Sequence, residues 1–184
     1  MAKHILVTGA NTGIGLALCK ILAVERQCYV YLGSRSVERG RAGLKSIVDA
    51  HPEAAASIEL LQIDVADAAS CSAAAETLKA KGVVLSGLVN NAGVGLVTAP
   101  DALDMLLSTN FLGPRRVTEA FVELLDPACG RIVNVSSGSA SMWLRNQVRA
   151  PRPSPRPTPH PPSTLNLPTF LPANDMTCRP PASP

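Results

Sequence analysis

The chain has 184 residues, of which 46% are apolar, 17% are charged and 3% are aromatic, and its formal net charge is +3 at pH 7. This length predicts one globular domain with room for a tail. The sequence has neither the Gly-X-Y period of collagen nor sustained heptads, and glycines interrupt its apolar segment at residues 5–24, which argues against a membrane span.

The net positive charge of the chain comes from its C-terminal part. Residues 1–143 carry 12 Lys and Arg against 13 Asp and Glu, whereas residues 144–184 carry five Arg against the single acidic residue Asp175. The body of the chain is therefore close to neutral. This balance argues against a nucleic-acid-binding surface on the body.

Proline is concentrated in the same terminal part of the chain. Twelve of the 16 prolines lie in residues 151–184. Proline removes a backbone donor and restricts the residue before it, so neither a helix nor an interior strand is expected there. We therefore expect a globular domain over residues 1–147 and a disordered, proline-rich tail over residues 148–184.

Short apolar runs alternate along the body with stretches that have a helical pattern. The runs predict five strands, at His4–Thr8, Cys28–Gly33, Ile58–Ile63, Val84–Val89 and Arg131–Val135. The helical patterns lie at Leu16–Ala23, Val37–Ala50, Ala68–Lys81 and Ala102–Leu125, the last with a break at Gly113-Pro114. Because the strands are apolar throughout, this alternation predicts an α/β fold with a doubly wound parallel sheet.

The cysteines are widely scattered, with no C-x-x-C pair and no histidine close by: Cys19, Cys28, Cys71, Cys129 and Cys178. This spacing predicts neither a metal site nor a disulfide framework. Isolated cysteines in apolar surroundings are usually small core residues, which indicates a reducing compartment. The N-terminal residues lack the pattern of a signal peptide, so we expect a cytoplasmic protein.

A glycine-rich stretch follows the first strand and begins the first helix, with the sequence Thr8-Gly9-Ala10-Asn11-Thr12-Gly13-Ile14-Gly15. Small residues there allow the backbone to approach a pyrophosphate, whose charge then lies at the N-terminus of a helix. The same glycines could instead form a tight strand-to-helix connection that binds no ligand.

The spacing T-G-x-x-x-G-x-G resembles that of the short-chain dehydrogenase/reductase family. Four further stretches agree with that family in order: Asp64-Val65, Asn90-Asn91-Ala92-Gly93, Asn110 and Ile132-Val133-Asn134-Val135-Ser136-Ser137. The resemblance covers about residues 3–143, and the stretch G-A-N-T-G-I-G resembles that of carbonyl-reductase-like members. It implies a Rossmann-type fold and hydride transfer between NAD(P) and a small carbonyl or alcohol substrate.

The resemblance also implies a role for each matching residue. Asn110 would help to hold a proton-relay water, and Ser137, rather than Ser136, would polarise the substrate carbonyl. The cofactor-binding residues would be Gly9, Asn11, Thr12, Gly13, Ile14, Gly15, Ser34, Arg35, Arg39, Asp64, Val65, Asn91, Ala92 and Gly93. Simpler explanations exist for some of them: a strand-ending turn for N-N-A-G, a surface position for Asn110 and helix capping for the serines.

The end of the second strand bears on the choice between NAD and NADP. Dinucleotide-binding folds normally place an acidic residue there, which binds the ribose 2′-hydroxyl of NAD. Here the strand ends Gly33-Ser34-Arg35, without a carboxylate. Because the Arg35 guanidinium can pair with a 2′-phosphate, and Arg39 follows four residues later, we expect NADP(H) to be favoured over NAD(H). Alternatively, both arginines are simply solvated.

The Tyr-x-x-x-Lys motif that carries catalysis in the family is absent from these 184 residues. Tyrosine occurs only at Tyr29 and Tyr31, and no lysine follows Lys81. We therefore expect a C-terminally truncated family member, with a sheet incomplete after strand five and little or no activity. The alternatives are a non-catalytic dinucleotide-binding module, a partner of an intact subunit, and a protein whose tail binds SH3-type domains through residues 156–162.

Overall fold

The computed structural model describes residues 2–95 and 102–137, and within them five parallel strands form one sheet in the order β3-β2-β1-β4-β5. The strands are β1 (His4–Val7), β2 (Tyr29–Ser34), β3 (Ile58–Gln62), β4 (Leu85–Asn90) and β5 (Arg131–Asn134). The helices are α1 (Gly13–Lys20), α2 (Val37–Ala50), α3 (Ala68–Ala80), α4 (Ala102–Leu106) and α5 (Leu112–Phe121). The predicted parallel α/β architecture is confirmed, and it is Rossmann-like.

Helices cover both faces of this sheet. Successive residues of a strand point to opposite faces, so Leu6 packs with residues of α3 and α5 while its neighbour Val7 packs with residues of α1 and α2. Tyr31 and Leu32 divide between the two faces in the same way. The central strands β1 and β2 are therefore buried on both sides, as their apolar runs predict.

The centre of the sheet determines where a ligand could bind. β1 pairs with β2 on one side and with β4 on the other. Because the chain winds outward in opposite directions from β1, the loops that follow β1 and β4 diverge to opposite faces. In open parallel sheets, this divergence leaves a crevice at the carboxyl ends of the strands.

Two helices differ from their predicted boundaries. α1 begins at Gly13, three residues before the predicted start, because extended Thr12 acts as its N-cap, and a π-helical turn at Ile21–Glu25 follows it. The predicted helix Ala102–Leu125 is interrupted by a second π-helical turn, Leu107–Phe111. That turn lies just before the predicted break, because Pro114 has no N–H to donate to the carbonyl four residues earlier and its ring crowds that carbonyl.

β5 forms one edge of the sheet within the part of the chain that the structure describes. All four of its residues are exposed, and the side chains of Ile132 and Val133 are 38% and 50% accessible. An exposed apolar strand at the edge of a sheet favours association with other strands.

Residues Met1–Ser136 form one compact unit. The proline-rich segment predicted at residues 148–184 lies outside the described residues. Within residues 2–95 and 102–137, no helix is long and apolar enough to cross a bilayer. The same residues contain no group of three or more His, Cys, Asp or Glu side chains placed to hold a metal ion.

Candidate functional site

A cleft of about 350 Å³ lies at the carboxyl ends of the strands, where the loops after β1 and β4 diverge. Loops after four strands and the π-helical turn before α5 supply its lining: Gly9, Asn11, Thr12, Ile14, Gly15, Arg35, Ile63, Asp64, Val65, Asn91, Ala92, Gly93, Val94 and Thr109. These include every cofactor-binding residue implied by the sequence except Gly13, Ser34 and Arg39. The fold therefore brings together stretches that are up to about a hundred residues apart in the chain.

The glycine-rich turn packs directly against the loop after β4. Gly9 has φ +64°, and a Cβ atom at this position would lie only 2.6 Å from the Cα of Ala92. Gly13 has φ +58°, but a Cβ atom there would meet nothing within 4 Å. Gly9 is therefore required for close packing of the two loops, whereas Gly13 leaves open space at the start of α1.

The first turn of α1 has no side-chain cap. Thr12 occupies the N-cap position with an extended backbone, and its side chain makes no capping hydrogen bond. The first N–H groups of a helix have no partner within the helix. Those of α1 are thus suited to bind an anion in the cleft, where the helix dipole also favours negative charge.

Hydrogen bonds of Thr8 and Asn91, together called the lock, join the loops after β1 and β4. The buried hydroxyl of Thr8 accepts from the backbone N–H groups of Asn91 and Ala92, each at 3.1 Å, and donates to the carbonyl of Val89. The side-chain amide of Asn91 donates to the carbonyl oxygens of Thr8 and Gly9 at 2.9 and 3.2 Å. The Asn91 amide is therefore engaged in holding the floor of the cleft.

The loop after β3 forms another part of the cleft. The Asp64 carboxylate accepts from the N–H of Ala66 at 3.0 Å, and the Asp64 N–H donates to the hydroxyl of Ser70 at 2.9 Å. Val65 lies between these bonded positions and is buried, with 7% accessibility. The Asp64-Val65 pair therefore forms a fixed, partly apolar surface.

The loop after β2 brings one of the two predicted arginines to the cleft. Ser34 is buried and donates to the carbonyl of Ser36 at 2.8 Å, and the Ser36 hydroxyl in turn caps α2 by accepting from the N–H of Arg39. Arg35 is exposed and lines the cleft. Arg39 lines a neighbouring depression, together with Thr12. The basic side of the cleft thus depends on Arg35.

Asn110 lies in the π-helical turn and holds the end of the N-N-A-G loop. Its side-chain oxygen accepts from the N–H of Val94 at 2.8 Å, and its amide donates to the carbonyl of Val94 at 2.9 Å. Pro114, four residues later, explains why the helix is irregular at this position. Ser137 follows β5 along the chain and lies just outside the compact unit Met1–Ser136.

Three lining residues were not predicted from the sequence: Ile63, Val94 and Thr109. Thr8 was recognised as part of the glycine-rich stretch, but its hydrogen bonds to the loop after β4 were not predicted. Each of the three lining residues directly adjoins a recognised motif in the chain. That adjacency was the available signal, but it does not tell which neighbour turns toward the cleft.

The two tyrosines lie at the opposite end of β2 from Arg35. Their rings, 5.3 Å apart, contact the ring of His4, and burial is the main cause that raises the pKa of Tyr31 to about 12. Burial, followed by the nearby Glu59 carboxylate, also raises the pKa of Tyr29. The described lining of the cleft contains neither tyrosine nor lysine.

The sequence is similar to those of known oxidoreductases. The chain is 34% identical over 164 residues to (+)-neomenthol dehydrogenase of Arabidopsis thaliana, which covers 76% of the chain and 55% of that protein. It is 35% identical over 137 residues to carbonyl reductase (NADPH) 1 of Sus scrofa, with 72% of the chain and 46% of that protein covered. The chain spans about half the length of the curated relatives it matches.

Solved structures share the fold. Menthone neomenthol reductase from Mentha piperita matches with a TM-score of 0.71 and 29% identity, over 82% of this chain and 67% of that one. A metagenomic short-chain oxidoreductase in complex with NADP matches with a TM-score of 0.62 and 32% identity, over 73% and 62%. Residues 3–148 match the family model described as short chain dehydrogenase. The chain therefore belongs to the short-chain dehydrogenase family.

Proposed function

We propose that the cleft binds NADP(H) in preference to NAD(H), as part of an oxidoreductase that transfers hydride to or from a small carbonyl or alcohol substrate. The observation that carries this proposal is the position of Arg35, which follows β2 and lines the cleft. No carboxylate stands at that strand end, where it would bind a ribose 2′-hydroxyl and repel a 2′-phosphate. The planar guanidinium pairs well with phosphate oxygens.

The other walls of the cleft fit the remaining parts of a dinucleotide. The uncapped first turn of α1 supplies N–H groups for the pyrophosphate, and the open space at Gly13 lets it approach the backbone. The loop at Asp64 and Val65 offers a partly apolar surface for adenine. One structural neighbour is described as a complex with NADP, and one relative is named as an NADPH carbonyl reductase.

NADP(H) supplies the hydride chemistry when it is bound, while residues of the chain bind and orient. Asn110 fixes Val94 in the loop after β4, and we assign to Ser137 the polarisation of a substrate carbonyl. The Tyr-x-x-x-Lys motif that donates the proton in the family is not found among these 184 residues, which have no tyrosine after Tyr31 and no lysine after Lys81. Loss of a positioned general acid lowers the reaction rate by a factor of about 10²–10⁴. A polypeptide of these 184 residues should therefore convert substrate only at trace rates.

The absence of the Tyr-x-x-x-Lys motif from these residues also favours a second candidate function, that of a dinucleotide-binding module without catalysis, which could act as a partner of an intact subunit. In both cases, the binding domain covers residues 1–147, with the proline-rich segment 148–184 outside it. Limited proteolysis followed by mass spectrometry tests these bounds. We expect early cuts after residue 147 and slow cleavage before it.

Calorimetric titration of the 184-residue chain with NADPH and NADH tests the proposed binding. A charge-assisted hydrogen bond contributes about 1.5–3 kcal/mol, so Arg35→Ala should weaken NADPH binding by about tenfold or more and leave NADH binding unchanged. Arg41→Ala is the matched control, since Arg41 is exposed on α2 but does not line the cleft. Equal weakening of both cofactors by Arg35→Ala would overturn the preference for NADP(H).

A further inference from the structure

The side chain of Arg116, on α5, reaches two different segments of the chain. Its Nη1 atom donates to the carbonyl oxygen of Ser108 at 2.9 Å. The same atom lies 3.4 Å from the carbonyl oxygen of Val65 and 3.4 Å from the hydroxyl of Ser108. Arg116 is half-buried, so these contacts are partly shielded from water.

The two carbonyl groups belong to different walls of the cleft. Val65 lies in the loop after β3 and itself lines the cleft. Ser108 lies in the π-helical turn and directly precedes Thr109, which also lines the cleft. Arg116 does not line the cleft, but it connects two residues whose immediate surroundings do.

Close packing brings α5 to the Val65 loop at this position. A Cβ atom on Gly113 would lie 3.0 Å from the Cγ2 atom of Val65, so the helix backbone approaches that side chain as closely as glycine permits. Residues three apart on a helix share a face. Arg116 therefore extends from the same face of α5 that Gly113 presses against Val65.

From this arrangement, we propose that Arg116 is a positioning residue that sets the distance between the Val65 and Thr109 walls and thereby the affinity of the cleft for an adenosine phosphate. The proposal rests on the proposed binding of a dinucleotide in this cleft. A guanidinium suits the role because its charge strengthens hydrogen bonds to carbonyl oxygens and its donors are fixed in one plane.

The neighbouring residue provides a matched control. Arg115 donates from Nε to the Glu119 carboxylate at 2.7 Å, and both side chains are largely exposed. An exposed ion pair of this kind contributes little to stability. Arg115→Met thus removes a guanidinium from the neighbouring position of the same helix, and this guanidinium forms none of the hydrogen bonds that Arg116 makes to Val65 and Ser108.

The experiment measures binding of 2′,5′-ADP and 5′-AMP to the full 184-residue chain by calorimetry, well below the melting temperature of each variant. We expect Arg116→Met to weaken both ligands by up to about tenfold, because part of the binding free energy must then order two segments that the charge-assisted hydrogen bonds of Arg116 hold in the wild type. The ratio of the two affinities should stay unchanged, because Arg35 is intact. Arg116→Lys should recover part of the loss, and Arg115→Met should change either affinity by less than about twofold.

Amide hydrogen exchange on the unliganded protein separates this proposal from the proposed function. Arg116→Met should speed exchange in residues 64–67 and 107–110, and Arg115→Met should not. Faster exchange in both segments without any ligand binding by the wild-type chain would contradict the dinucleotide site but support the positioning role. Unchanged exchange, or equal loss of affinity in Arg115→Met, would overturn the role of Arg116.

Discussion

Thr8 and Asn91 hold each other in place although 83 positions separate them in the chain. The Thr8 hydroxyl accepts from the backbone N–H of Asn91 at 3.1 Å, and the Asn91 side-chain amide donates to the carbonyl of Thr8 at 2.9 Å. The pair joins the ends of β1 and β4, the two strands between which the cleft opens. The floor of the cleft is therefore a property of this pairing rather than of either loop alone.

The first prediction concerns this lock. Thr8→Val preserves shape but leaves the N–H groups of Asn91 and Ala92 without their acceptor. A buried donor that loses its partner costs about 1–3 kcal/mol, so urea denaturation should show a decrease of about 2 kcal/mol in the free energy of unfolding.

Thr77→Val is the control for that measurement. The Thr77 hydroxyl donates to the carbonyl of Ala73 on an exposed face of α3. A surface substitution of this kind changes stability by less than about 0.5 kcal/mol. Equal losses in the two valine variants would contradict the importance of the lock.

The second prediction compares glycines that share a left-handed backbone. Gly13 and Gly82 have φ +58° and +65°, and a Cβ atom on either would meet nothing within 4 Å. Alanine at each position should therefore lower the free energy of unfolding by about 1–2 kcal/mol, the cost of the left-handed conformation. Gly9→Ala should cost more, because its Cβ atom would collide with the backbone of Ala92.

NADPH binding should distinguish the Gly13→Ala variant from the Gly82→Ala variant. Gly13 begins α1 beside the cleft, whereas Gly82 follows α3. A methyl group at residue 13 obstructs the approach of a pyrophosphate, so Gly13→Ala should weaken NADPH binding by about tenfold or more. Gly82→Ala should leave the calorimetric affinity unchanged, and similar affinities for the two variants would count against the pyrophosphate site at α1.

The third prediction concerns alkaline pH. Burial raises the pKa of the Cys19 thiol from 9.0 to about 12. Because the folded state holds this proton more tightly than the unfolded chain, its contribution to stability is complete below pH 9 and is lost as the pH rises toward about 12. The buried Tyr31, whose pKa is raised to about 12, acts in the same direction.

Denaturation at about pH 8 and about pH 10.5 tests this linkage. The wild-type chain should be less stable at the higher pH. Cys19→Ala should be less stable than wild type at the lower pH because it leaves a small cavity, but its stability should decrease less between the two. Equal decreases in the two proteins would show that Cys19 does not contribute to the linkage.

The fourth prediction concerns β5. Its exposed apolar residues lie on an edge of the described sheet, which favours intermolecular strand pairing. Val133→Lys should slow aggregation of the 184-residue chain, measured by light scattering at matched concentrations, because a charge on an edge strand opposes pairing. Val84→Lys is the control, since Val84 is similarly exposed, at 55%, outside any strand. Equal effects of the two lysines would assign the change to net charge.

Much of the fold could be predicted from local pattern. The predicted strands agree with the observed ones to within two residues, because mainly apolar runs bounded by turn residues mark the strands of a sheet that helices cover on both faces. The start of α1 was placed too late, since Gly13 and Gly15 weaken a helical pattern that the N-cap at Thr12 nonetheless begins. The interruption at Leu107–Phe111 was placed too far along the chain, because the effect of Pro114 falls on the preceding turn.

The parts of the site that depend on hydrogen bonds between distant residues could not be predicted from the sequence. The motif residues around Gly9, Asp64 and Asn91 could be grouped because parallel strands bring their carboxyl ends together. The bonds of Thr8 to Asn91 and of Arg116 to Val65 could not, since no local pattern specifies a partner 83 or 51 positions away. Arg39 follows Arg35 by four residues, but its N–H donates to the hydroxyl of Ser36 that caps α2, and its side chain lines a separate depression.

The most direct test of the account is a map of where NADP binds, from two-dimensional amide spectra of the labelled 184-residue chain during titration. We expect the largest shifts at the start of α1, at Arg35 and at residues 64–66, all of which lie at or beside the cleft. Shifts grouped instead around the cavity near Lys3 and Arg26, or no shifts at saturating NADP, would contradict the claim that this cleft is a dinucleotide site.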